Sequence, residues 1–152
     1  MDGFNKMIYV GIIQGKGMDL RGQIDTDIFG YDTLDEINSK IETYASRLNI
    51  KVKFFQTNVE SELLTILKGL ESSRLTALIF NPGGFTTSLG NIGFGLQELT
   101  IPVFEVHTTN PASRGIISQV QGSCSGSVYG FGISSYLVAL TGLTQILYRE
   151  RK

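Results

Sequence analysis

The run Ile101-Pro102-Val103-Phe104-Glu105-Val106-His107-Thr108-Thr109-Asn110 decides how this chain is read. It is apolar over the length of a strand and turns polar at the chain's only histidine. A short apolar run bounded by polar residues reads as a strand covered on both faces, as in a parallel sheet. Glu105 lies two residues before His107, so on an extended strand both side chains project from one face. A carboxylate beside an imidazole fixes its tautomer and favours its protonated form, which suits a general acid. A lone structural histidine at a strand end would fit the same spacing. The segment Leu78-Ile79-Phe80-Asn81-Pro82-Gly83-Gly84 has the same form, apolar and then polar. Two strands ending this way predict a shared site at one edge of a sheet.

Working outward, Met7 to Ile13 is a continuous apolar run that reads as the first strand. A polar, glycine-bearing loop follows from Gln14 to Gly30. Thr33 with Glu36 three residues on is a capping box, and Leu34, Ile37, Ile41, Tyr44 and Leu48 recur at helical spacing behind it. Ile50 to Gln56 is the second strand, and Asn58 is expected to cap a helix carrying Leu63, Leu67 and Leu70. Ala77 to Phe80 is the third strand and Ile101 to Val106 the fourth. Between them Ser88 to Glu98 reads as a glycine-rich helix, whose glycines permit close approach of another helix or subunit. A fifth strand around Ser127 to Phe131 precedes a last helix from Ser134 to about Arg149. Strands alternating with helices predict an α/β fold: a flavodoxin-like three-layer sandwich with a five-stranded parallel sheet.

The chain has 152 residues, read as a single domain over 1–152 with room for a full core. A net charge of −1 and the lack of a long basic run argue against nucleic acid as partner. The single Cys124 excludes an internal disulfide and fits a reducing compartment. No base accompanies it in sequence, so it does not read as a nucleophile. One histidine and one cysteine supply too few soft ligands for a metal site. Met1 to Lys6 lacks the layout of a signal peptide. No charge occurs between Arg114 and Arg149, but Ser134, Ser135, Thr141, Thr144 and Gln145 interrupt the apolar character there. A membrane span needs about 20 consecutive mostly apolar residues, so a cytoplasmic, soluble protein with no membrane partner is expected.

These segments, in this order, resemble the type II 3-dehydroquinate dehydratases (type II dehydroquinases). The likeness is carried by Phe54-Phe55-Gln56-Thr57-Asn58 with Glu60 and Glu62, by Asn81-Pro82-Gly83, and by Ile101 to His107. Ile28-Phe29-Gly30-Tyr31-Asp32-Thr33-Leu34 looks like the family's Ile-Tyr-Gly-x-x-Thr-Leu, and Gly126 to Leu140 like its last strand and helix. The resemblance implies elimination of water from 3-dehydroquinate through an enolate, without metal or cofactor. A lid tyrosine, kept basic by a lid arginine, removes the proton. An asparagine after the first strand helps stabilise the enolate, and a histidine oriented by glutamate protonates the leaving hydroxyl.

Matched position by position, the resemblance makes His107 the acid and Glu105 its orienting carboxylate. Asn81 matches a hydroxyl-binding asparagine. Thr108, Thr109 and Asn110 match the cradle of the substrate carboxylate, with Thr109 in place of serine. Elsewhere the match breaks. Phe29 stands for the catalytic tyrosine, Ile24 for the lid arginine, Gly17 for the enolate asparagine and Thr87 for a second histidine. The loop after Asn110 is shorter than the family's, and the substrate-clamping arginine has no clear counterpart. A phenylalanine has no oxygen to accept a proton at any pH.

Three functions remain open: a dehydroquinase-like protein with the family reaction lost and a small-carboxylate pocket kept, a dehydratase of altered substrate, or a 3-dehydroquinate dehydratase with Tyr31 and Arg21 relocated into the missing roles. In the first two cases the lid, 14–30, is expected to be poorly ordered or to close inward on Phe29 and Ile24 as an apolar plug. The resemblance also implies a homo-oligomer, a trimer or a dodecamer built from trimers. The glycine-rich Gly90 to Gly95 segment and the uncharged C-terminal third suit such burial.

Overall fold

The computed structural model describes residues 7–149. Met1 to Lys6, read above for a targeting signal, lies outside the described residues. The sheet has five strands, all parallel, in the order β2-β1-β3-β4-β5. These are β1 (Ile8–Lys16), β2 (Ile50–Gln56), β3 (Ala77–Gly83), β4 (Val103–His107) and β5 (Gly126–Tyr129). The helices are the single turn α1 (Thr26–Phe29), then α2 (Leu34–Arg47), α3 (Glu60–Leu70), α4 (Asn91–Gln97) and α5 (Ser134–Arg149). This is the flavodoxin-like α/β fold.

Two cores, one on each face of the sheet, make the three layers. On one side Ile37, Ile41 and Ala45 of α2 and Tyr136, Leu140 and Leu143 of α5 pack on Val10, Ile12 and Ile79. On the other, Leu63 and Leu67 of α3 and Ile92 and Leu96 of α4 pack on Ile13, Leu78 and Phe80. β1 and β3 serve both cores, which is why their runs lack the alternation of a half-exposed strand. Each large side chain buried this way stabilises the fold by roughly 1.5–3 kcal/mol.

The capping box forms as read: Glu36 N donates to Thr33 Oγ1, and Thr33 N donates to the Glu36 carboxylate. Asn58 does not cap α3. The residue before the helix is Val59, and Asn58 Oδ1 instead accepts from Gly17 N at 2.8 Å. Thr57 takes the local role, accepting from Val59 N and donating to Glu62. The third strand runs on through Asn81 to Gly83, because β1 continues to pair with it there. In α4, Gly95 packs closely inside the chain, since a Cβ would lie 3.1 Å from Leu67 and 3.3 Å from Leu64 of α3. No helix among the described residues is long and apolar enough to cross a membrane.

Candidate functional site

The carboxyl ends of β1, β3 and β4 are neighbours in this strand order, and a cavity of ≈ 300 Å³ opens above them. In open α/β sheets ligands settle at such strand ends, where strand order reverses. β1 supplies Lys16 to the wall, β3 supplies Asn81 and β4 supplies His107. The segment after β4 adds Thr108, Thr109 and Arg114, and the lid adds Arg21 and Phe29.

His107 is buried, and its Nε2 lies 3.5 Å from Glu105 Oε2. That separation is too long for a good hydrogen bond, and Nε2 has no hydrogen-bond partner among the described residues. The attraction becomes an ion pair only when the ring is protonated. Glu105 itself has no exposed surface. Oε2 accepts from Ser118 Oγ and Oε1 from Tyr129 Oη, both at 2.5 Å. Burial pushes the Glu105 carboxyl up, but His107, Ser118 and Tyr129 pull it down by more, so it sits below its usual value. Burial and the same carboxylate push the Tyr129 phenol up to about 12. Tyr129 pairs in register with His107 across β4 and β5, and the two rings lie 5.0 Å apart.

Asn81 is also buried, at the end of a polar chain that passes beneath the cavity. Its Nδ2 donates to Tyr136 Oη at 2.8 Å, Tyr136 Oη donates to Gln14 Oε1 at 2.7 Å, and Gln14 Nε2 donates to Asn38 Oδ1 at 3.1 Å. Asn81 Oδ1 accepts from Gly83 N. The amide keeps one proton and one lone pair for another partner. Burial pushes the Tyr136 phenol up to about 12, and its hydroxyl is committed on both sides. It cannot serve as a base for a ligand.

The lid is built inward rather than left loose. A 3-10 turn, Met18–Leu20, buries Met18, and α1 brings Phe29 to the wall. The expected apolar plug does not form. The Arg21 guanidinium lies 3.5 Å over the Phe29 ring and that of Arg114 lies 5.5 Å from it. Ile24 is on the wall but 52% exposed. Tyr31 is 80% exposed and absent from the wall. Of the two candidates for relocation, only Arg21 reaches the cavity.

Asn81, His107, Thr108 and Thr109 thus share one cavity wall, with Glu105 behind the histidine. Asn110 is exposed and off the wall, and its Oδ1 accepts from Ala112 N to cap the turn Pro111–Arg114. That turn delivers a group the sequence reading had not assigned: Arg114, whose Nη1 donates to Thr109 Oγ1 at 3.0 Å. Lys16, Ser118 and Tyr129 were also missed. Only their distant neighbours mark them, and no local spacing does. Cys124 is half-buried and its thiol is pushed up to about 12 by burial, so it has no nucleophile character. Among the described residues no cluster of His, Cys, Asp and Glu could hold a metal ion.

Comparison with known proteins agrees with this architecture. The family model "Dehydroquinase class II" matches residues 8–144. A 3-dehydroquinate dehydratase of Caldicellulosiruptor bescii is 32% identical over 139 residues, covering 90% of this chain and 96% of that protein. One from Helicobacter acinonychis is 33% identical over 141 residues, covering 90% and 84%. The crystal structure of the type II dehydroquinase from Propionibacterium acnes superposes with a TM-score of 0.85 at 23% identity, covering 92% of this chain and 99% of that one.

Proposed function

The chain belongs to the class II dehydroquinase family, and from that premise we propose that its cavity binds a small carboxylate while the family's dehydration of 3-dehydroquinate is lost or altered. The observation that carries this reading is Phe29. It stands on the cavity wall beneath Arg21, and no tyrosine lines that wall. The acid half of the family's site has its counterpart in His107 with Glu105. Asn81 and the Thr108–Thr109 segment are the proposed substrate contacts, with Asn110 supporting the turn beside them. Losing a positioned base costs roughly 10² to 10⁴ in rate.

Purified protein incubated with 3-dehydroquinate should give no conjugated-enone absorbance of 3-dehydroshikimate, or only a trace at high enzyme. Turnover at the rate of an ordinary dehydroquinase would overturn the proposal. The pocket is tested separately by calorimetry with shikimate. Binding is expected, and His107→Gln should lower the affinity, because the ring lies on the cavity wall.

A second reading, an active dehydratase, is favoured by the names of the relatives and by Arg21 in the cavity. Its weak point is the proton acceptor, since Tyr31 is exposed and does not line the wall. Single-turnover absorbance with wild type and Tyr31→Phe separates the two readings. The proposed assembly is a homo-oligomer, a trimer or a dodecamer.

A further inference from the structure

The charges on the cavity wall do not balance. Among the described residues, Lys16, Arg21 and Arg114 are opposed there by Asp25 alone, in a chain whose net charge is −1. The remaining ionisable wall group is His107. The Glu105 carboxylate behind it is fully buried, and its oxygens are taken by Ser118 and Tyr129. Arg21 and Arg114 are gathered on one ring, at 3.5 and 5.5 Å from its centre. Among the described residues neither guanidinium is ion-paired, and neither is Lys16. Arg114 gives a hydrogen bond to Thr109, and Arg21 donates none to the described residues. Burial and the charge of Arg114 both push Arg21 down from its usual value, although a guanidinium stays protonated in proteins.

Like charges gathered without a protein carboxylate repel each other, and planar guanidinium forks match carboxylate oxygens two at a time. One acid group would use the side of the cavity where Arg114, Thr109 and His107 meet. That leaves Lys16 and Arg21, the latter offset in part by Asp25, with the second excess charge. Resting on the carboxylate-pocket reading above, we infer that the cavity takes a small dicarboxylate. One carboxylate lies at Thr108 and Thr109 beside Arg114, and the second is held by Arg21 and Lys16. The volume, ≈ 300 Å³, is at the small end for ligand sites and suits a ring-sized acid rather than a peptide.

Calorimetry on the full chain with matched probes tests this: benzoate, isophthalate, terephthalate, shikimate and inorganic phosphate. At least one phthalate should bind about tenfold or more tightly than benzoate, the worth of a charge-assisted pair. Arg21→Gln should weaken the phthalates by much more than benzoate, so that the tenfold advantage is lost, whereas Arg21→Lys should keep part of it. Arg114→Gln should weaken both acids. Equal affinity for benzoate and both phthalates, with shikimate still bound, would overturn the second carboxylate and leave the pocket reading intact. Phosphate binding as tightly as the diacids would also overturn it, by showing that one compact dianion answers all the charge. Binding of no acid at all would remove both readings.

Discussion

A carboxylate without exposed surface costs several kcal/mol unless its oxygens are occupied, and both oxygens of Glu105 are, by Ser118 and Tyr129. The carboxyl is thereby held below its usual value. The sign of the linkage follows. A group with a depressed folded value contributes stability that is complete above its unfolded value and is lost as pH falls through the folded one. Tyr129→Phe removes one charge-assisted donor, so it should cost about 1.5–3 kcal/mol at neutral pH and start the acid loss at a higher pH. Urea unfolding from neutral to acid pH checks this, and an unchanged profile would mean that water or His107 replaces the phenol. The pairing of Glu105 with His107 was legible because two residues on one strand share a face. Ser118 and Tyr129 were not legible: they meet Glu105 across 13 and 24 residues of chain. The Tyr136 link to Gln14, across 122 residues, is hidden further still.

Among the elements, those announced by local chemistry were read well. The capping box places the start of α2, and continuous apolar runs mark β1 and β3. Asn58 was misread because its side chain has two possible employers, the helix ahead and the lid behind, and the fold brings Gly17 N within 2.8 Å. The lid was misread as loose or apolar because cation–π contact leaves no periodic trace in sequence. Its closing turn depends on Gly22, with φ +81°, where a Cβ would lie 2.7 Å from the Tyr31 carbonyl oxygen. Gly22→Ala therefore meets both a left-handed backbone and a backbone clash, a strain of about 1–3 kcal/mol. Hydrogen exchange should show faster exchange across 17–30 with the sheet unchanged. Equal protection in the variant would mean that the lid has another stable path.

For the molecule as a whole, the order β2-β1-β3-β4-β5 turns two separate sequence signals, Asn81 and His107, into one site and adds Lys16, which the sequence did not mark, at the adjacent strand end. The same order leaves large apolar side chains uncovered outside the site. Leu89 and Phe94 flank the start of α4 at 76% and 65% exposure, and Ile117 and Phe131 flank β5 at 73% and 63%. Single exposed apolar residues are ordinary, but these are large and none of them lines the cavity, and contiguous exposed apolar surface marks association. The glycines of α4 give no independent support, since Gly95 serves packing on α3 within the chain. The proposed homo-oligomer rests instead on the exposed apolar residues and the family resemblance. Light scattering at micromolar concentration should return a mass at least three times that of the single chain, and a charge placed at Phe94 or Ile117 should lower it if those residues are covered in the assembly. A monomer that stays monomeric as concentration rises would end the proposal. The exposed apolar residues would then have to be tolerated in water, and the protein should become less soluble as salt strengthens apolar association.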